Sequence, residues 1–135
     1  MASIRREFRI AAPANAAWDA FRDVYAVHTR LAQGFATDCR REGDDRIVTF
    51  ANGLSARELI VEVDDARRRL AYATRSERLL HHSASFQVFE GALGDCVVVW
   101  IADVLPHSAA EPVAAMMDAG VAAMRKTLER HSIPA

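Results

Sequence analysis

The middle of the chain, from Gly34 to Pro106, is a succession of strand-length segments separated by turn signals, with no helical pattern between them. Asn52-Gly53 between two alternating segments is typical of a tight hairpin turn. Consecutive strands joined by short turns pair antiparallel in sequence order. The segment therefore predicts a six-stranded meander, with strands at 35–41, 46–51, 55–63, 69–74, 82–90 and 96–105.

A further strand and two short helices precede the meander. Residues 4–10 alternate between apolar and charged side chains, so Ile4, Phe8 and Ile10 are expected on the buried face of a strand. Pro13 ends that strand and suits the start of a helix. A second short helix is predicted over residues 24–33.

One long helix follows the meander. Over residues 109–131, apolar side chains recur at the i, i+3, i+4 spacing of an amphipathic helix. A long antiparallel sheet twists and must bury one face, and this helix is the element that remains to cover it. The predicted fold is therefore α+β, a curved antiparallel sheet around a long C-terminal helix.

The face of that helix carries small and flexible side chains, which favour a cavity over a filled core. They are Ala114, Ala115, Met116, Met117, Gly120 and Ala123. A well-packed core without a cavity is the alternative.

Composition excludes several classes of partner. The 17 basic and 18 acidic residues are mixed along the chain, whereas a nucleic-acid site needs clustered cations. No apolar segment is long enough for a membrane span. Neither an export signal nor a CxxC pair is present, so Cys39 and Cys96 are expected to be reduced thiols in a cytoplasmic protein. The histidines lack metal-ligand spacing, and no cofactor motif occurs, so we predict no metal and no cofactor.

Several segments together resemble the START-like superfamily, also called SRPBCC. They are AAPANAAW at 11–18, REL at 57–59 and onward to Asp64, RRLAY at 68–72, and VWIADVLP at 99–106. The resemblance spans essentially the whole chain and is to the polyketide cyclase/dehydrase and lipid-transport branch. It implies a single helix-grip domain over 1–135 with a hydrophobic pocket. It does not imply cyclase activity, because the superfamily also contains carriers and receptors.

Two polar positions are candidates for catalysis. His82 and His81 begin a strand and point to opposite faces of it, so one of them faces the concave side. A histidine of near-neutral pKa can act as a general acid or base. Asp103 lies in an otherwise apolar strand and is the expected partner of His82, with Arg57 and Glu58 as alternative partners for Asp103. Surface histidines and a structural ion pair are the alternatives.

Three hypotheses for function follow. The first is a protein that binds an apolar or aromatic small molecule. The second is a cyclase or dehydratase that acts on a polyketide-like substrate, with His82 or His81 as the base and Asp103 as its orienting partner. The third is an interaction module, such as a homodimer formed through an exposed strand edge. The predicted ligand-binding residues are Arg57, Leu59, Tyr72, His81, Ser83, Phe86, Val88, Trp100, Met117 and Met124.

Overall fold

The strands of the protein form one antiparallel sheet in the computed structural model, which describes residues 2–132. They are β1 (Ser3–Ile10), β2 (Ala36–Glu42), β3 (Asp45–Phe50), β4 (Ser55–Asp64), β5 (Arg69–Arg75), β6 (His81–Glu90) and β7 (Cys96–Leu105). Their spatial order is β1-β7-β6-β5-β4-β3-β2, so β2 to β7 form the predicted meander and β1 joins its far edge.

The helical elements are α1 (Ala14–Arg22), a π-helical turn (Val27–Leu31), a 3-10 turn (His107–Ala109) and α2 (Ala110–Ser132). The helix predicted over residues 24–33 is reduced to the π-helical turn, in which the Ala32 N–H donates to the Val27 carbonyl at 2.8 Å. No helix within residues 2–132 combines the length and apolarity that a membrane crossing requires. The expected helix-grip arrangement, a curved sheet with a long C-terminal helix, is confirmed.

The concave face of the sheet is the face that packs on the helices. On β7 the buried residues alternate as Cys96, Val98, Trp100, Ala102 and Val104. This alternation continues on β6 and β1, where the predicted Ile4, Phe8 and Ile10 are all buried. Period-two burial of this kind shows that one face is covered and the other faces solvent.

Strand β4 departs from its apolar alternation. Its buried residue is Glu58, whereas Val61, which alternates in sequence with Leu59 and Val63, is 68% exposed. A register shift in the pairing with β5 lies between Ile60 and Glu62, a β-bulge that changes which side chains point inward. The faces of this strand are therefore set by the burial of a charged residue and a bulge, which apolar periodicity does not reveal.

Two contacts place α2 across the sheet. Arg6 on β1 donates its Nε–H to Asp118 Oδ1 at 2.6 Å. Near the C-terminal end, the fully buried Thr127 accepts a 3.0 Å hydrogen bond from the Gln33 backbone N–H. The middle of α2 thus lies against the β1 edge of the sheet, and its last turns lie against the loop that precedes β2.

Candidate functional site

A cavity of about 430 Å³ lies between the concave face and the N-terminal half of α2. The helix contributes Val113, Met116, Met117, Gly120 and Met124 to its wall. Strands contribute aromatic rings, among them Phe50, Phe86 and Trp100. The volume and apolar lining are typical of a small-molecule site, so the alternative of a filled core is wrong.

Three stacked aromatic side chains form the floor of the cavity. The Phe86 ring lies between Tyr72, at a centroid distance of 5.9 Å, and Trp100, at 4.5 Å. Trp100 donates its indole N–H to the Tyr72 hydroxyl at 3.1 Å, so the polar atom of the indole is satisfied within the wall. Burial raises the pKa of Tyr72 far above its ordinary value, and the hydroxyl stays neutral.

Gly120 allows α2 to lie close to this floor. A Cβ atom at this position would stand 3.1 Å from Cζ3 of Trp100 and 3.5 Å from Phe35. A larger side chain would have to displace the indole or enter the cavity. The glycine therefore sets both the helix–sheet spacing and the free volume beside Trp100.

A row of polar residues crosses the same face of four strands. Arg46 on β3 faces Glu58 on β4, and Glu58 faces Thr74 on β5. Ala73 faces Ser83 across β5 and β6, so Thr74 and His82 occupy the next position along both strands. Arg46, Glu58, Thr74 and His82 all line the cavity. We call these four residues the polar row.

The first two members of the polar row neutralise each other. Arg46 donates to Glu58 Oε1 from Nε at 2.8 Å and from Nη2 at 2.8 Å, and it donates from Nη1 to the Val24 carbonyl at 2.9 Å. Both residues are buried, and the guanidinium carbon lies 5.4 Å from the centre of the Tyr72 ring. Arg46 therefore connects the sheet to the segment that follows α1.

The other two members have unused hydrogen-bonding capacity. Within residues 2–132, neither Thr74 Oγ1 nor His82 Nδ1 has a hydrogen-bond partner, although both atoms are buried. Burial lowers the pKa of His82, and the negative charge of Glu58 opposes that effect. The imidazole is therefore neutral at pH 7 and offers one nitrogen as donor and the other as acceptor.

The structure brings six of the predicted site residues to the cavity wall. They are Tyr72, His82, Phe86, Trp100, Met117 and Met124. Their role in binding stays a prediction. Val88, also predicted as part of the wall, is buried in the core outside the lining. It lies six residues after His82 on β6.

The remaining predicted residues lie on the convex face, and their placement at the site is wrong. Leu59 points outward because its neighbour Glu58 takes the inward position. Arg57 forms ion pairs with Glu42 and Asp45, the latter at 2.8 Å. His81 and Ser83 hydrogen-bond each other at 3.2 Å on this same outer face.

The predicted pairing of His82 with Asp103 is also wrong. Asp103 is exposed and accepts a 2.6 Å hydrogen bond from the Ser3 hydroxyl. His82 faces Val104, the neighbour of Asp103, so the two side chains leave opposite faces of the sheet. Arg57 is no partner of Asp103 either, since its carboxylate partners are on β2 and β3. Nor is Glu58, which pairs with Arg46.

Sequence reasoning did not place Arg46, Glu58 or Thr74 in the cavity wall. The first two carry opposite charges, which favour a cross-strand pair. Their register, however, is not the one that a two-residue turn at Asn52-Gly53 gives, because that turn would place Arg46 opposite Leu59, whereas Arg46 faces Glu58. Thr74 has no such signal, since its position follows only from the register of β5.

Comparison with known proteins places this geometry in a wide structural group. A family model described as polyketide cyclase/dehydrase and lipid transport matches residues 1–130. No curated protein matches the chain by sequence. An uncharacterized protein from Bacillus thuringiensis superposes with a TM-score of 0.83 at 15% identity, covering 94% of this chain and 98% of its own.

Two further solved structures are similar along nearly their whole length. A protein from Thermobifida fusca has a TM-score of 0.74 at 28% identity, covering 98% of this chain and 93% of its own. Norcoclaurine synthase from Thalictrum flavum, in complex with dopamine and hydroxybenzaldehyde, has a TM-score of 0.71 at 18% identity. The match covers 98% of this chain and 88% of the synthase chain. At identities this low, the first and third of these likenesses establish the fold alone.

Proposed function

The chain belongs to the polyketide cyclase/dehydrase and lipid transport family, and on that premise we propose that it binds a small molecule with an apolar, aromatic body in the cavity beneath α2. The observation that carries the proposal is the cavity of about 430 Å³ with an aromatic floor. Stacked rings at Tyr72, Phe86 and Trp100 offer a flat surface for another ring. Met117 and Met124 on the opposite wall adapt to irregular shapes.

The polar row indicates which polar group the ligand carries. Thr74 and His82 are neutral groups with unused hydrogen-bonding capacity, and a buried polar atom without a partner is unfavourable. A ligand hydroxyl or carbonyl would supply that partner. A charged group would be disfavoured there, because Arg46 and Glu58 already neutralise each other and a further buried charge would lack a counter-ion.

Native mass spectrometry of the freshly purified protein, followed by organic extraction, tests the proposal. We expect one bound molecule per chain, or saturable binding of aromatic phenols and ketones added to the apo protein. The same spectrum reports whether the chain is a homodimer, the association expected at an exposed strand edge. Absence of both retained and added ligand would contradict the proposal.

Two adjacent histidines supply a matched pair of variants. His82→Gln alters the polar row, whereas His81→Gln alters the outer face one residue away. Loss of one neutral hydrogen bond to the ligand should weaken binding about fivefold to tenfold in His82→Gln. His81→Gln should bind as the unaltered protein does. Equal effects of the two substitutions on affinity would show that His82 of the polar row does not contact the ligand.

A second candidate is proton-transfer catalysis at the same cavity, with His82 as general base. The specific observation in its favour is a neutral imidazole in the cavity wall, whose pKa the charge of Glu58 raises against the effect of burial. This candidate predicts that the protein turns over an enolisable ketone. His82→Gln should then abolish turnover and weaken ketone binding only about tenfold. Turnover that survives in His82→Gln would exclude His82 as the base.

A further inference from the structure

Two arginines line the cavity, and one of them is neutralised there. Arg46 is buried and paired with Glu58. Arg78 is exposed and yet belongs to the cavity wall, which places it at the mouth. Among the side chains described between residues 2 and 132, no carboxylate forms an ion pair with Arg78. The mouth therefore carries an unneutralised cation.

Arg78 is held at the mouth by its own turn. The Leu79 N–H donates to the Ser76 carbonyl at 3.2 Å, and the Arg78 N–H donates to the Ser76 hydroxyl at 3.3 Å. This turn connects Arg75, the last residue of β5, to His81, the first residue of β6. Arg78 therefore lies at the end of β5 and β6, the two strands that carry Thr74 and His82.

The charges of the cavity wall leave one positive charge in excess. Arg46 and Arg78 are its cations, and Glu58 is the one acidic residue among the described residues that line it. Glu58 is committed to Arg46 at 2.8 Å, so it does not neutralise Arg78. The serines of the wall, Ser55, Ser76 and Ser108, are uncharged. An anion is therefore the group that this end of the cavity lacks.

We propose that the ligand is an amphiphilic organic anion, whose apolar body fills the cavity and whose carboxylate, sulfonate or phosphate group lies at the mouth against Arg78. This inference rests on the proposed binding function and adds the charge and the orientation of the ligand. A guanidinium matches the geometry of such oxyanions and forms charge-assisted hydrogen bonds with them. The reverse orientation would bury the anion beside Glu58 and is disfavoured.

A matched pair of fluorescent probes tests the charge requirement. Anilinonaphthalene sulfonate and its sulfonate-free parent, phenylnaphthylamine, share the same rings and differ by one anionic group. We expect the protein to bind the sulfonate about fivefold more tightly than the neutral probe. The preference should shrink as salt concentration rises, because the cation is exposed to solvent.

Substitution of Arg78 locates the effect. Arg78→Gln should remove the preference for the sulfonate and leave the affinity for phenylnaphthylamine within about twofold. Arg75→Gln is the matched control, since this exposed arginine lies three residues earlier and outside the cavity wall. It should leave both affinities unchanged.

The outcomes separate the two levels of the proposal. If phenylnaphthylamine binds and the sulfonate gains nothing over it, the anionic ligand is overturned and binding in the cavity stands. The anionic ligand is overturned in the same way if Arg78→Gln and Arg75→Gln reduce the preference equally. If neither probe binds, the proposed function fails and this inference fails with it.

Discussion

Arg46 and Glu58 face each other across β3 and β4 with the arginine Nε and the glutamate Oε1 2.8 Å apart, and both side chains are buried in the cavity wall. This contact determines which face of β4 points inward, because two buried charges must remain together. It also forms part of the cavity wall, in the same row as Thr74 and His82. The pair therefore links the fold of the sheet to the chemistry of the site.

Removal of one partner of this pair should be strongly destabilising. Glu58→Gln leaves the buried guanidinium without a counter-charge, and we expect the free energy of unfolding to fall by about 3 kcal/mol. Urea denaturation measures the change. Glu62→Gln, which breaks an exposed pair with Arg69 on the convex face, should cost less than about 1 kcal/mol.

Joint replacement by apolar residues provides the second half of that test. Arg46→Met combined with Glu58→Leu should recover most of the stability that Glu58→Gln loses, because no buried charge is left unpaired. A double variant as unstable as Glu58→Gln would show that the hydrogen bond from Arg46 to the Val24 carbonyl, and not the pairing of charges, dominates.

The hydrogen bond beneath the cavity floor should contribute measurably to stability. Tyr72→Phe removes the acceptor of the Trp100 indole N–H and leaves that group buried and unsatisfied. We expect a loss of about 1–3 kcal/mol in urea denaturation. Tyr25→Phe is the control, since its hydroxyl bonds the Asp44 carbonyl at the surface and water can replace it. Similar losses in both variants would argue against a special role for the buried bond.

The stability of the protein should depend on pH through His82. Burial lowers its pKa in the folded state, so the unfolded chain, with an ordinary histidine pKa of about 6.5, binds the proton more readily. Stability should therefore be at its full value above about pH 6.5 and fall as pH decreases below it. Urea denaturation across this range should show the fall in the unaltered protein and in His81→Gln. The fall should be smaller in His82→Gln.

Filling the space beside Trp100 should block the cavity. Gly120→Leu places a side chain against an indole that even a Cβ atom would approach to 3.1 Å. We expect the affinity for phenylnaphthylamine to drop at least about tenfold, because the remaining volume no longer accepts two fused rings. Ala119→Leu adds the same side chain at an exposed position of α2 and should leave binding intact. Fluorescence titration of both variants measures the difference.

Asp103 should be dispensable for binding. Its carboxylate is exposed on the convex face, where it accepts a hydrogen bond from Ser3. Asp103→Asn is expected to change ligand affinity by less than about twofold and stability by less than about 0.5 kcal/mol. A loss of affinity as large as that in His82→Gln would show that Asp103 contributes to ligand binding.

Much of the fold follows from the sequence alone. The turn signals at Gly43 and Asn52-Gly53, the alternation on β1 and β7, and the helical period after Pro106 each depend on neighbouring residues in the chain. Local spacing decides such features, because backbone periodicity and turn geometry are local properties. For the same reason, the aromatic and methionine residues at the cavity were predictable as apolar positions on inward faces.

The tertiary structure decided which polar residues reach the cavity. Alternation shows that His81 and His82, or Glu58 and Leu59, point to opposite faces, but it does not show which face is concave. That choice depends on Arg46 pairing with Glu58 across two strands and on the bulge after Ile60. Such contacts join residues distant in sequence, and their energy comes from burial that exists only once the sheet and α2 are assembled.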